Sequence, residues 1–219
     1  MIELMTAPSR SFLVPGLVAA LSLTAFVTAA AQGGNASQAA AVQTGKPQPN
    51  PADVHFMSGM IPHHAQAVLI AGWAPSHGAS TPVRLLCERI VVAQRDEIAL
   101  MSTWLRDRGL PVPDSNATHL RMNMNGMQHD MLMPGMLNPE ELAELDKARG
   151  VDFDRLFLQA MIKHHGGAIS MVEALTSSQG AALDEVVFRF SSDVYADQTT
   201  EIERMEKMLA ALPAPKNAP

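Results

Sequence analysis

The chain has 219 residues, a net charge of −6 and one cysteine. That length holds a single domain with a sizeable core, and one Cys excludes a disulfide framework within the chain. The acidic balance and an aromatic content of only 5% argue against nucleic acid or an anionic membrane surface as the partner.

Residues 12–31, FLVPGLVAALSLTAFVTAAA, form an apolar run preceded by Arg10 and closed by small residues. The pattern predicts a signal peptide over residues 1–31, cleaved after Ala29 or Ala31. Initiation at Met5 would remove Glu3, which is out of place in a positively charged leader. An uncleaved run of this length would instead anchor the chain in a membrane. Either way the rest of the chain is expected outside the cytoplasm, periplasmic or extracellular. Residues 32–52, rich in Ala, Gln, Gly, Pro and Asn, read as a flexible tether.

An all-α domain is predicted over 53–212. Its first helix starts at Asp53, read as the N-cap, and runs to about Gly72 with Pro62 inside it. After a short loop, Thr81 reads as the next cap, with Pro82 at the first helical position. That second helix runs to about Arg108, where Gly109 and Pro111 stop it. The two helices make a first hairpin, 53–108. Residues 109–138 read as an irregular linker, and no strand is expected anywhere. Asn138-Pro139-Glu140-Glu141 opens a short helix ending near Gly150. Helices from about Asp152 to Leu175 and from about Ala182 to Leu212 complete a second hairpin unit, 139–212. The tail, 213–219, is expected to be frayed and disordered.

The hairpins are copies of each other. Phe56, Met60, Ile61, His63 and His64 recur 101 positions on as Phe157, Met161, Ile162, His164 and His165. Gln94, Glu97, Ile98, Met101 and Leu105 recur 104 positions on as Gln198, Glu201, Ile202, Met205 and Leu209. Each hairpin has an apolar face that it cannot bury alone, so the two pack together as a four-helix bundle. The long linker crosses the bundle.

At about 100° per residue, Phe56, Met60, His63, His64 and Ala67 share one core-facing arc. The second copy repeats this, with Met171 falling close to His164. The partner helices carry Gln94, Glu97 and Met101, or Gln198, Glu201 and Met205, on otherwise apolar stripes. A buried carboxylate costs several kcal/mol unless paired, and the imidazoles are the available partners. Two arrangements stay open. His and Glu satisfy each other and fix the register, or His and Met hold a metal while Glu orients the imidazoles.

Thioether is a soft ligand that suits Cu(I), and imidazole accepts copper, zinc, iron or nickel. Iron-carboxylate bundles use Glu-x-x-His motifs, and this chain has none. One Cys cannot build a thiolate zinc site, although four His could supply nitrogen ligands. Copper fits best, Cu(I) ahead of Cu(II). The linker stretch HLRMNMNGMQHDMLMPGM adds His119, Met122, Met124, Met127, His129, Met131, Met133 and Met136. It reads as a copper-capturing tract, or alternatively as a flap that fills gaps over the bundle end. His55 and His77 read as surface residues and Cys87 as a small core residue.

With Met60-Ile61-Pro62-His63-His64, Met161-Ile162-Lys163-His164-His165 and the Gln/Glu/Met sets, the chain resembles the domain of unknown function 305 family over about residues 52–210. The resemblance implies an exported bacterial protein with a ferritin-like four-helix bundle and a role in copper binding and tolerance. It implies Met60, His63, His64, Met161, His164, His165 and Met171 as metal ligands, with Glu97, Met101, Glu201 and Met205 behind them or as alternative ligands. Relatives carry a Met after the first His pair where this chain has Ile70, which implies unequal halves with the second binding more tightly. The expected function is therefore to sequester copper or pass it to other envelope copper-handling proteins, without catalysis. The alternatives are a ferritin-like metal-dependent oxidase, in which Glu97 and Glu201 bind the metal directly, and a bundle that binds a partner protein without metal. A membrane is a partner only if the leader stays uncleaved.

Overall fold

The structure, a computed structural model, describes residues 48–124 and 127–214, with the backbone alone between 121 and 129. The predicted leader, the tether up to residue 47 and the tail from 215 lie outside the described residues. The elements are α1 (Pro51–Ala71), α2 (Thr81–Arg106), β1 (Leu120–Met124), β2 (Met127–Met131), α3 (Pro139–Lys147), α4 (Val151–Thr176) and α5 (Glu185–Ala210). Among the described residues no helix is long and apolar enough to cross a membrane.

Helix starts follow capping chemistry, displaced slightly from the sequence expectation. Asn50 caps α1, its side chain accepting the Ala52 N–H at 2.9 Å, and Pro51 opens the helix. Pro51 and Ala52 thus belong to the helix rather than to the tether. The sequence places the cap at Asp53, but that residue is buried in the first turn and accepts the backbone N–H of Ala182 at 2.7 Å. Its repeat counterpart Asp154, also buried, accepts the N–H of Ser80 at 3.1 Å. The first helix of each hairpin therefore pins the loop that leads into the second helix of the other. Ser80, not Thr81, is the N-cap of α2. Asp184 caps α5 by accepting from Val186 and Val187. Asn138 and Glu141 form a reciprocal capping box on α3.

Helix α1 continues through Pro62 and is buried on nearly all sides, as befits a helix with no polar face. It packs on α2, α4 packs on α5, and α1 meets α4 at the centre. His63 of α1 lies against His164 of α4, while Gly59, one turn earlier, lies against Met171, two turns later. The two central helices are therefore antiparallel. The bundle is all-α apart from one element. The linker contains a two-stranded antiparallel hairpin, with Leu120 paired to Met131, Met122 to His129 and Met124 to Met127. This corrects the expectation of an irregular, strand-free linker. Asn125-Gly126 between two alternating runs is a strong short-range hairpin signal, which the Met content obscures.

The core divides into two clusters. One gathers Phe56, Met60, Met101, Met133, Met136, Met171 and Phe190. The other gathers Ile90, Phe157, Met161 and Met205 with Cys87 and Phe153. The Cys87 thiol is pushed up to about 12 by burial first and then by Asp154, which fits a core residue without nucleophilic character.

Candidate metal centre

Four imidazoles meet where the hairpins join. His63, His64, His164 and His165 are all buried. The rings of His63 and His164 lie 3.9 Å apart between centroids, tilted by 40°. His64 and His165 stand outside this pair, 6.1 Å from His63 and 6.3 Å from His164 respectively. The adjacent His-His doublets put two rings on each central helix, and the antiparallel crossing brings one ring of each doublet face to face.

Each outer imidazole is held from the flanking helix. His64 Nε2 bonds to Glu97 Oε2 at 2.6 Å, and His165 Nε2 to Glu201 Oε2 at 2.8 Å. His63 Nε2 donates to the Pro134 carbonyl at 3.0 Å. A carbonyl or carboxylate oxygen can only accept, so in each of these bonds the donated proton sits on Nε2. The Nδ1 atoms of all three are buried without a partner, and in His164 neither ring nitrogen has one. Burial, reinforced by His64, holds the His63 pKa down at about 3. Burial and then His63 also hold His164 well below the ordinary histidine value. Both rings are neutral near pH 7, with lone pairs free of protons. A buried polar atom left unsatisfied costs roughly 1–3 kcal/mol, so a cluster of them in one core marks a candidate site for an ion or ordered water.

Thioethers complete the surroundings. Met60 and Met161 are fully buried. A Cβ on Gly59 would stand 2.7 Å from Met133 Cε, 3.4 Å from Met133 Sδ and 3.5 Å from Met171 Cε. Gly59 thus gives room for a linker methionine and an α4 methionine to converge one turn before His63. Met171 belongs to the second sequence copy, yet the antiparallel crossing delivers it to the Met60 side. The extra sulfur therefore enriches the first half, opposite to the expected bias toward the second. Met161 and Met205 lie together in the other cluster, so Met60 and Met161 are not brought together. Met101 is a core neighbour of Met60.

The linker residues divide. Met133 and Met136 are buried in the core, and Met136 Sδ accepts the Met133 N–H at 3.2 Å. Met131 is exposed. His119 faces Asp130 across the strand pair at 3.3 Å. Met122, Met124, Met127 and His129 are placed by the hairpin register alone. His55 is exposed. His77 is not a surface residue: it is buried, stacks on Trp73 and bonds to Asp146 through Nε2 at 3.0 Å. It ties the end of α3 to the loop after α1.

Two features escape a reading by helical spacing. Pro134-Gly135 forms a strap that lies directly on α4. A Cβ on Gly167 would collide with the Pro134 carbonyl, and one on Gly135 would lie 2.6 Å from the Lys163 carbonyl. Gln66 clamps the strap by bonding both the N–H and the C=O of Leu137, at 2.7 and 2.9 Å. The available signal is Gly166-Gly167 inside a helix, where each Gly costs about 1 kcal/mol relative to Ala. Gln94 and Gln198, which helical spacing places on the inward stripes, are buried with each Oε1 unpartnered.

Among the described residues, no group of three or more His, Cys, Asp or Glu side chains is arranged to hold a metal ion.

The family described as Domain of unknown function (DUF305) matches residues 53–209. The chain belongs to this family. A DUF305 protein from Streptomyces coelicolor, for which secretion is proposed, is 28% identical in sequence, with a TM-score of 0.60 over 73% of this chain and 92% of its own. CopM, solved with Cu(II) bound, is 27% identical with a TM-score of 0.56, covering 72% of this chain and 95% of its own. CopM has also been solved with Cu(I) and with Ag bound. An uncharacterized protein of Acanthamoeba polyphaga mimivirus is 31% identical over 58 residues, and the match spans only 38% of its length.

Proposed function

We propose that this DUF305 chain binds copper outside the cytoplasm and sequesters it or passes it on. The observation that carries the reading is the set of four buried imidazoles, each with at least one ring nitrogen that has no partner. Three of them are oriented through Nε2 by Glu97, Glu201 and the Pro134 carbonyl, the second-layer support that metal-bound histidines usually receive. Soft sulfur from Met60, and from Met133 and Met171 at Gly59 one turn before His63, favours Cu(I). Met161 serves the other half. The bonds from Glu97 and Glu201 to imidazole favour an orienting role over direct coordination. The relation to CopM, which is solved with copper and silver bound, supports the same metal class. The leader expected from the sequence over 1–31 and the relation to the Streptomyces coelicolor protein support export.

Titration of Cu(I) against a competing chromogenic chelator tests this. At least one Cu(I) per chain is expected, with affinity lowered when His63 and His164 are changed to Ala. Stoichiometry below one, or an affinity indifferent to those changes, overturns the proposal.

A further inference from the structure

The two faces of the histidine centre differ. On one, the Pro134-Gly135 strap lies in contact with α4, with no room for even a Cβ beneath it. On the other, α2 and α5 leave a cleft of about 230 Å³. Glu97 and Glu201 line this cleft and at the same time bond the outer imidazoles, His64 and His165. Each is about one-quarter exposed or slightly less, so one carboxylate reaches from solvent to His64 and another from solvent to His165. Gln94 and Gln198 line it too, and each leaves a buried Oε1 with no hydrogen-bond partner.

We propose, resting on the copper reading above, that the α2–α5 cleft is the port through which the metal cation enters and leaves the histidine centre. The oxygen atoms along it are hard donors, poorly matched to a soft ion. They attract a cation without retaining it, and conduction requires that balance. Arg89 and Arg204 also border the cleft, outnumbered there by Glu97, Asp197 and Glu201. There Asp197 sits above the ordinary carboxylate range, through partial burial first and then through Glu97, Asp193 and Glu201. Excess negative charge in a cleft raises the local cation concentration and speeds association.

The test compares rates with equilibria in the full chain. Uptake of Cu(I) from a chromogenic chelator is followed by stopped flow under second-order conditions. The D193N/D197N variant removes charge from two exposed positions that touch neither imidazole nor thioether. Its uptake rate is expected to fall about tenfold at low salt and to converge on the unmodified rate at about 0.5 M salt, where screening is short-ranged. Stoichiometry and equilibrium affinity stay unchanged. A second variant, A93W, fills the cleft from an exposed position and slows uptake at every salt concentration. Unmodified rates in either variant overturn the port while leaving the copper site standing. A chain that takes up no copper at equilibrium overturns both.

Discussion

Glu97 on α2 accepts the Nε2–H of His64 on α1 at 2.6 Å, and that bond decides which ring nitrogen is left to face the core. Removing the carboxylate frees the tautomer and the ring. E97A is expected to weaken Cu(I) binding by about 10–100-fold, the usual effect of losing such support. E97Q, which keeps an acceptor oxygen, loses less. Chelator competition at fixed pH measures both, and an E97A affinity equal to that of the unmodified chain would contradict the orienting role.

Acid is expected to destabilise the metal-free protein. The His63 pKa is about 3 in the folded state, against 6.5 as the ordinary value. Between those values the unfolded chain binds a proton that the folded chain refuses. Unfolding free energy therefore falls as pH drops through this window and is stable above it. By pH 5 the loss is about 2 kcal/mol for one such ring, and His164, lowered in the same direction, adds to it. Urea titrations of the apo protein at pH 7.5 and 5 read the difference, and H63Q should flatten the pH slope.

The two glycines after the second His pair should respond oppositely to alanine. Nothing lies within 4 Å of a Cβ on Gly166, so G166A should stabilise by about 1 kcal/mol through helix propensity. A Cβ on Gly167 collides with the Pro134 carbonyl, so G167A should destabilise by about 1–3 kcal/mol through overpacking and should displace the acceptor of His63. Denaturation midpoints of the pair provide an internally controlled measurement.

Replacing sulfur with carbon separates the two copper oxidation states. M133L and M171L conserve volume and should cost less than about 1.5 kcal/mol in stability. Each should lower Cu(I) affinity while leaving Cu(II) affinity nearly unchanged, because thioether favours the softer ion. Parallel titrations with Cu(I) and Cu(II) provide the contrast; equal losses for both ions would place sulfur outside the donor set.

Periodicity made the bundle and its inward stripes legible. Phe56, Met60, His63 and His64 are buried as their angular positions require, and so are Leu86, Ile90, Gln94, Ile98 and Met101. What escaped was contact across long stretches of chain. Asp53 meets Ala182, and His63 meets Pro134, and no local spacing encodes either pair. Asp53 satisfies every local rule for an N-cap, yet tertiary packing claims its carboxylate for another loop. The destination of Met171 depends on the sense in which α1 and α4 cross, which a helical wheel drawn for one helix cannot show. His77 lies at a helix end, where exposure is the ordinary expectation, but Trp73, Phe153 and Asp146 enclose it.

Asp53 reaches Ala182 while Asp154 reaches Ser80. Reciprocity of this kind is the signature of an isologous dimer, in which residue i of one subunit meets j of the other and j meets i. The chain is a tethered dimer of hairpins with a pseudo-twofold axis between His63 and His164. A single covalent strap cannot obey that axis, since it crosses on one side only. It engages His63 and leaves His164 with neither nitrogen bonded. Tethering therefore turns two equivalent imidazoles into one that the strap holds and one that it does not.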